Sequence, residues 1–236
     1  MLGANLFGHE DEDWEREVIA TIRELKSRGI DEEGRVTWQR SHMAVQPALS
    51  AHDDDSSAGF SHKLRTPKPT LTVGFTEDAV YGGSAAYREI PLEEWKRSAL
   101  PIIPVKPTWV FDVQLPYLLV ECRSETNTSL LSAQNQAAVA GASALNIMQG
   151  IPHLAEQHGW EPFVFSLTSD GPIVELWIHF LTGRSGERYC MAKLSYARLT
   201  DEKGTRKIAE DIAAVMKWAH TELLPRVVEA VKESSP

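Results

Sequence analysis

The amino-acid sequence predicts a mixed α/β fold of the α+β kind, one mixed sheet flanked by helices. Three observations predict it. Two long segments, Leu130 to Met148 and Lys203 to Lys232, carry apolar residues at helical spacing. Between them lie three short β-branched and aromatic runs separated by turn signals. Ahead of them, Leu115-Pro-Tyr-Leu-Leu-Val-Glu-Cys-Arg-Ser124 is an apolar run that ends in a carboxylate and, two residues later, a cation. Side chains two apart on a strand point the same way, so Glu121 and Arg123 share one face at a strand end.

Each element can be justified in turn. Trp14, Val18, Ile22 and Leu25 recur at helical spacing after an acidic first turn, which predicts an N-terminal helix over 10–28 closed by Gly29. Residues 31–69 are poorly patterned, and the polar stretch around Asp53 to Asp55 reads as a flexible loop over about 48–64. Thr70 to Phe75 alternates and is entered from Pro69, so it reads as a strand. Pro91 to Ala99 reads as a short helix with proline at its start. In the helix Leu130 to Met148, the small residues Ala137, Ala138, Gly141 and Ala142, with Leu145, form a face that lets the backbone approach a sheet. Gln134 lies on that face. Ile151 to His158 reads as a short helix. Strands follow at Pro162–Thr168, Val174–Phe180 and Tyr189–Leu194, with Glu175, Trp177 and His179 on one face of the second. Pro225 is expected to break or kink the last helix. The chain reads as a single domain over 1–236 with a core over about 67–232.

Composition narrows the function. Of 236 residues, 42% are hydrophobic and 24% charged, which suits a globular core. The formal net charge of -9 repels nucleic acid overall. The two cysteines, Cys122 and Cys190, make no disulfide framework and fit a reducing compartment. No run reaches the length of a membrane span, and the N-terminus lacks a basic region followed by an apolar core. The expected location is cytoplasmic. No pair of the eight histidines has a metal-ligand spacing.

Three elements in order carry a resemblance: Pro69-Thr-Leu-Thr-Val-Gly74, the strand end Val120-Glu-Cys-Arg-Ser-Glu125, and Ala133-Gln-Asn-Gln-Ala-Ala-Val-Ala-Gly141. Together they resemble the fungal branch of the PD-(D/E)XK nuclease-like superfamily. The resemblance implies a restriction-endonuclease-like core. An active member would carry Asp after the Pro of the first motif and Glu-x-Lys on the next strand. The two acids would hold a divalent metal, and the Lys would position or activate water. Thr70 and Arg123 stand where the Asp and Lys would be, and only Glu121 matches. Thr70 offers a neutral oxygen, and Arg123 stays protonated and favours a carboxylate or phosphate. Asp112 is the substitute ligand that a rearranged site would need.

The residues left are Glu121, Arg123 and Gln134 as candidate catalytic groups, with Thr70, Trp109, Phe111, Asp112 and Tyr117 around a substrate. They suit a small carboxylic acid, with Arg123 as clamp and Glu121 as general acid or base. Some fungal relatives of this fold resemble polyketide-pathway enzymes that cyclise a polyene or polyketide acid to an α-pyrone with loss of water. The leading expectation is therefore a metal-free cyclase or dehydratase, a lyase with no cofactor. Two alternatives stay open. One is a nuclease with a rearranged Mg²⁺ site on Glu121 and Asp112, and the other is a non-catalytic interaction module. In the bland reading, Glu121 and Arg123 form an ion pair, Gln134 bonds near its helix start, and His179 is a satisfied core residue. The strand around Trp177 and the last helix offer surfaces for a homodimer.

Overall fold

The structure is a computed structural model that describes residues 20, 36–39, 69–76, 79–80, 113–122, 130–151, 154, 160–182 and 188–233. Six strands make one sheet in chain order: β1 (Val36–Gln39), β2 (Leu71–Phe75), β3 (Gln114–Cys122), β4 (Phe163–Ser169), β5 (Ile173–Thr182) and β6 (Arg188–Arg198). Helix α1 (Leu130–Gln149) lies between β3 and β4. After β6 come α2 (Glu202–Trp218), a π-helical turn (Ala219–Leu223) and α3 (Leu224–Glu233). β3 and β4 are parallel, and every other neighbouring pair is antiparallel. A parallel neighbour needs a crossover, which α1 supplies. The molecule is thus a mixed α/β fold with a mixed sheet flanked by helices.

Several expectations change. The segment 31–69 contains β1, whose four residues pair with β2. Val-Thr-Trp-Gln is too short a run to stand out from its polar surroundings, and pairing with β2 provides the context. The expected helix over 10–28, the loop over about 48–64 and the helix Pro91 to Ala99 lie outside the described residues, apart from Ala20. So does most of Ile151 to His158. β6 runs four residues beyond Leu194, to Arg198.

The α-helix is interrupted just ahead of Pro225, but the chain continues helical on both sides. A proline brings no N–H, and its ring crowds the carbonyl four residues back. The chain widens instead into a π turn, with the Leu224 N–H reaching the carbonyl of Ala219. At the start of α2, the Asp201 carboxylate accepts the Gly204 N–H at 2.7 Å. A Cβ on Gly204 would lie 2.0 Å from the Arg198 carbonyl oxygen, so glycine lets α2 begin directly on the end of β6.

β3 is irregular at its entry. Its register with β2 shifts between Val73 and Phe75, and Leu115 has φ of 49°. A leucine in the left-handed region before Pro116 is strained. The irregularity falls where Pro116 could give no ladder hydrogen bond.

The two faces of the sheet differ. Leu71, Val73, Leu118, Val120, Phe165, Leu167, Val174 and Leu176 share one face, which is buried and apolar. It meets α2: Ser195, opposite Leu176, donates to Asp211, and Trp218 stacks on Phe163 at 4.4 Å between ring centres. Ile208, Ile212, Val215, Met216 and Val227 complete that core, each contributing about 1.5–3 kcal/mol on full burial. The other face carries Thr72, Leu119, Glu121, Ser166, Thr168, Glu175, Trp177 and His179, mostly polar and mostly buried. α1 covers it. Its buried stripe is Ala133, Ala137, Ala140, Gly141, Ala144 and Met148, while Ala138 and Ala142 are half-buried. The stripe is thus rotated from the expected face.

Candidate functional site

The polar face is organised by register. Glu121 on β3 pairs with Thr168 on β4, which pairs with Glu175 on β5. Three strands therefore place two carboxylates and a hydroxyl in one row beneath the start of α1. Glu121 is 1% exposed and Glu175 is 4% exposed. Buried carboxylates need hydrogen-bonding partners. Glu175 has them: Gln134 Nε2 donates to Oε2 at 2.6 Å, Thr168 Oγ1 donates to Oε2 at 3.4 Å, and Lys193 Nζ donates to Oε1 at 2.5 Å. Thr168 in turn accepts the Trp177 indole N–H at 3.0 Å. The Lys193 ammonium lies 5.1 Å from the centre of the Trp177 ring.

Thr70 sits one step beyond the Leu71–Val120 pair, at the same sheet end as Glu121. Its Oγ1 accepts the Cys122 N–H at 3.1 Å and donates to the Cys122 carbonyl at 3.5 Å. The hydroxyl therefore stitches β2 to the end of β3.

Two turns along the same face is a second polar group. His179 is fully buried, and its Nε2 shares a 2.7 Å hydrogen bond with Ser166 Oγ. Its Nδ1 is hydrogen-bonded to the Tyr189 hydroxyl. Burial pushes the imidazole down to about 3, so it is neutral at ordinary pH. Burial, with Cys190 beside it, pushes the Tyr189 phenol up. A Cβ on Gly141 would lie 2.2 Å from His179 Nδ1, so glycine lets α1 lie directly on the ring. The bland reading of His179, a satisfied core histidine, describes it well.

The expected site residues are brought together only in part. Glu121 and Thr70 are neighbours. Gln134 reaches the sheet as expected, but its partner is Glu175. Tyr117 is fully buried, with its ring 5.2 Å from that of Phe75. Arg123, Trp109, Phe111 and Asp112 lie outside the described residues. Sequence reasoning missed Lys193 and Thr168. The signal for Thr168 was its β-strand parity with Ser166. The signal for Lys193 was a cation inside an otherwise apolar and small-residue strand.

The described residues do not fit a Mg²⁺ site. Such a site needs several hard oxygen ligands. The Thr70 hydroxyl is committed to backbone, and Glu175 is committed to three donors. Among the described residues, no three His, Cys, Asp or Glu side chains are grouped to hold a metal ion.

Residues 15–231 match the family model described as a domain of unknown function, DUF7924. The chain belongs to the DUF7924 family. No curated protein and no solved structure matches it. In this DUF7924 chain no helix among the described residues is long and apolar enough to cross a membrane.

Proposed function

We propose that this DUF7924 chain is a repurposed member of the PD-(D/E)XK-like fold that acts without metal on a small organic acid. The reaction this reading favours is dehydrative cyclisation of a polyketide-type 3,5-dioxo acid to an α-pyrone. The observation that carries the reading is the state of Thr70. Its hydroxyl holds the backbone of Cys122 at the position where a nuclease of this kind needs a charged metal ligand. The adjacency of Thr70 and Glu121 at one sheet end supports the assignment of both motif positions, and hence the restriction-endonuclease-like core.

The chemistry needs no redox step. In its enol form, the δ-oxygen of the acid attacks the carboxyl carbon and a C–O bond forms. The carboxyl C–OH bond breaks, and the hydroxyl leaves as water with the enol proton. A single carboxyl group such as Glu121 can move that proton, acting first as base and then as acid. Gln134 and Thr168 orient the neighbouring Glu175, which holds the row in place. The test is turnover of 3,5-dioxohexanoate to its pyrone, followed by absorbance in the presence of EDTA. Glu121→Gln should lower kcat by about 100-fold or more with the fold intact. Undiminished turnover in Glu121→Gln would remove Glu121 from the mechanism.

A further inference from the structure

We propose that Lys193, set between Glu175 and Trp177 and beside Tyr196, is the residue that binds the carboxylate of a planar conjugated acid. The proposal rests on the small-acid reading above and adds an anion subsite on β6, apart from the carboxyl group on which Glu121 of β3 acts.

Four observations converge on this place. The side chain of Lys193 is 44% exposed, although it pairs with the buried Glu175. An ammonium has three donors, and the Glu175 bond uses one of them. The buried carboxylate fixes the ammonium, so little side-chain entropy remains to be lost when an anion arrives.

The exposed large apolar side chains are the second observation. Among the described residues they are Leu131, Leu194 and Tyr196, and the sheet register sets Tyr196 opposite Glu175. Tyr196 is 66% exposed. Leu194 follows Lys193 in the chain, at the register shift opposite Leu176 and Trp177. Leu131 lies one helical turn before Gln134 on α1. Scattered single apolar residues need no explanation, but an exposed tyrosine on the strand of a half-exposed cation, opposite that cation's carboxylate, offers a surface to a ligand.

The third observation is the shape of the chemistry. Trp177 and Tyr196 both lie on the polar face of the sheet, on adjacent strands. Two aromatic side chains beside one cation suit a flat, conjugated molecule with a single negative charge. The fourth is net charge. At a formal -9 the chain repels a polyanion, whereas a monoanion needs only one local cation. A single-stranded nucleic acid would also use cations and aromatics, so it serves as the competing arm of the test.

The test uses the full chain and sorbate, a planar dienoic acid, with binding followed by calorimetry. Saturable binding should weaken about tenfold in Lys193→Met and in Tyr196→Ala, and recover in Lys193→Arg. The corresponding dienol, which lacks the charge, should bind at least tenfold more weakly. The proposal is overturned if the wild type does not saturate, if both variants bind like the wild type, or if the dienol binds equally well. It is also overturned if a single-stranded oligonucleotide binds more tightly than sorbate and loses that binding in the same variants. Dimerisation abolished by Tyr196→Ala would overturn it too, because the surface would then be a contact between copies. Turnover in Glu121→Gln separates the two claims. Full turnover there with sorbate binding lost in Lys193→Met removes the proposed chemistry and leaves the anion site. Turnover lost in Glu121→Gln with sorbate binding intact in Lys193→Met does the reverse.

Discussion

The two faces of the sheet are built from the same strands by opposite physics. The face under α2 and α3 is a continuous apolar layer in which leucines, valines and aromatics exclude water. The face under α1 is a buried polar layer tied by side-chain hydrogen bonds: Gln134 to Glu175, Trp177 to Thr168, Ser166 to His179. Apolar packing is non-directional and tolerates repacking. A buried polar layer holds only while its partners are satisfied, so each member depends on the others. The first face makes the fold stable, and the second is where the proposed chemistry would sit.

The comparison can be broken most strongly on the apolar side. Leu167→Ala should cost about 3 kcal/mol, read as a shift in the denaturation midpoint. A cost below about 1 kcal/mol would mean that this layer is not close-packed. On the polar side, Gly141→Ala should destabilise by about 2 kcal/mol, because the new methyl meets the His179 ring. Combining it with His179→Ala should recover part of that loss in a double-mutant cycle. Strict additivity would show that the ring is not what α1 rests on.

A pH titration sharpens the contrast further. His179 is held near 3 in the folded chain, whereas an unfolded histidine titrates near 6.5. Between those values the unfolded state binds more protons, so stability is complete above about 6.5 and falls as pH drops toward 3. The slope from this one group approaches about 1.4 kcal/mol per pH unit. His179→Phe should flatten the profile over that range. An unchanged slope would place the titrating group elsewhere. The smallest effect belongs at the rim: Lys193→Met should cost about 1–2 kcal/mol, since the buried Glu175 loses its charged partner but keeps its Gln134 and Thr168 bonds. A larger loss would make Lys193 a structural residue.

Sequence patterns made the apolar face legible and the polar face only partly so. Period-2 alternation in Thr70 to Phe75 and Val174 to Phe180, and helical spacing in Lys203 to Lys232, are local signals that survive without tertiary context. The shared face of Glu175, Trp177 and His179 follows from the same parity. Their partners do not. That Glu121, Thr168 and Glu175 form one row depends on the register of three strands, one of them reached through the α1 crossover. That Gln134 serves Glu175 depends on the roll of α1, which Gly141 sets by its contact with His179. β1 was invisible because four residues are too few to show a period. In the sequence Thr70 reads only as standing where the resembled family would carry an acid, and its role in tying β2 to Cys122 needed the fold.

The central claim is that Glu121, beside a Thr70 given over to structure, works on an organic acid without a metal ion. It is tested most directly by one paired assay on EDTA-treated wild type and Glu121→Gln. 3,5-Dioxohexanoate is offered without metal, and plasmid DNA is offered with and without Mg²⁺. The expected result is pyrone formation in the wild type, reduced about 100-fold or more in Glu121→Gln, with DNA intact under both conditions. Mg²⁺-dependent cutting by the wild type that Glu121→Gln abolishes, with no pyrone formed, would contradict it.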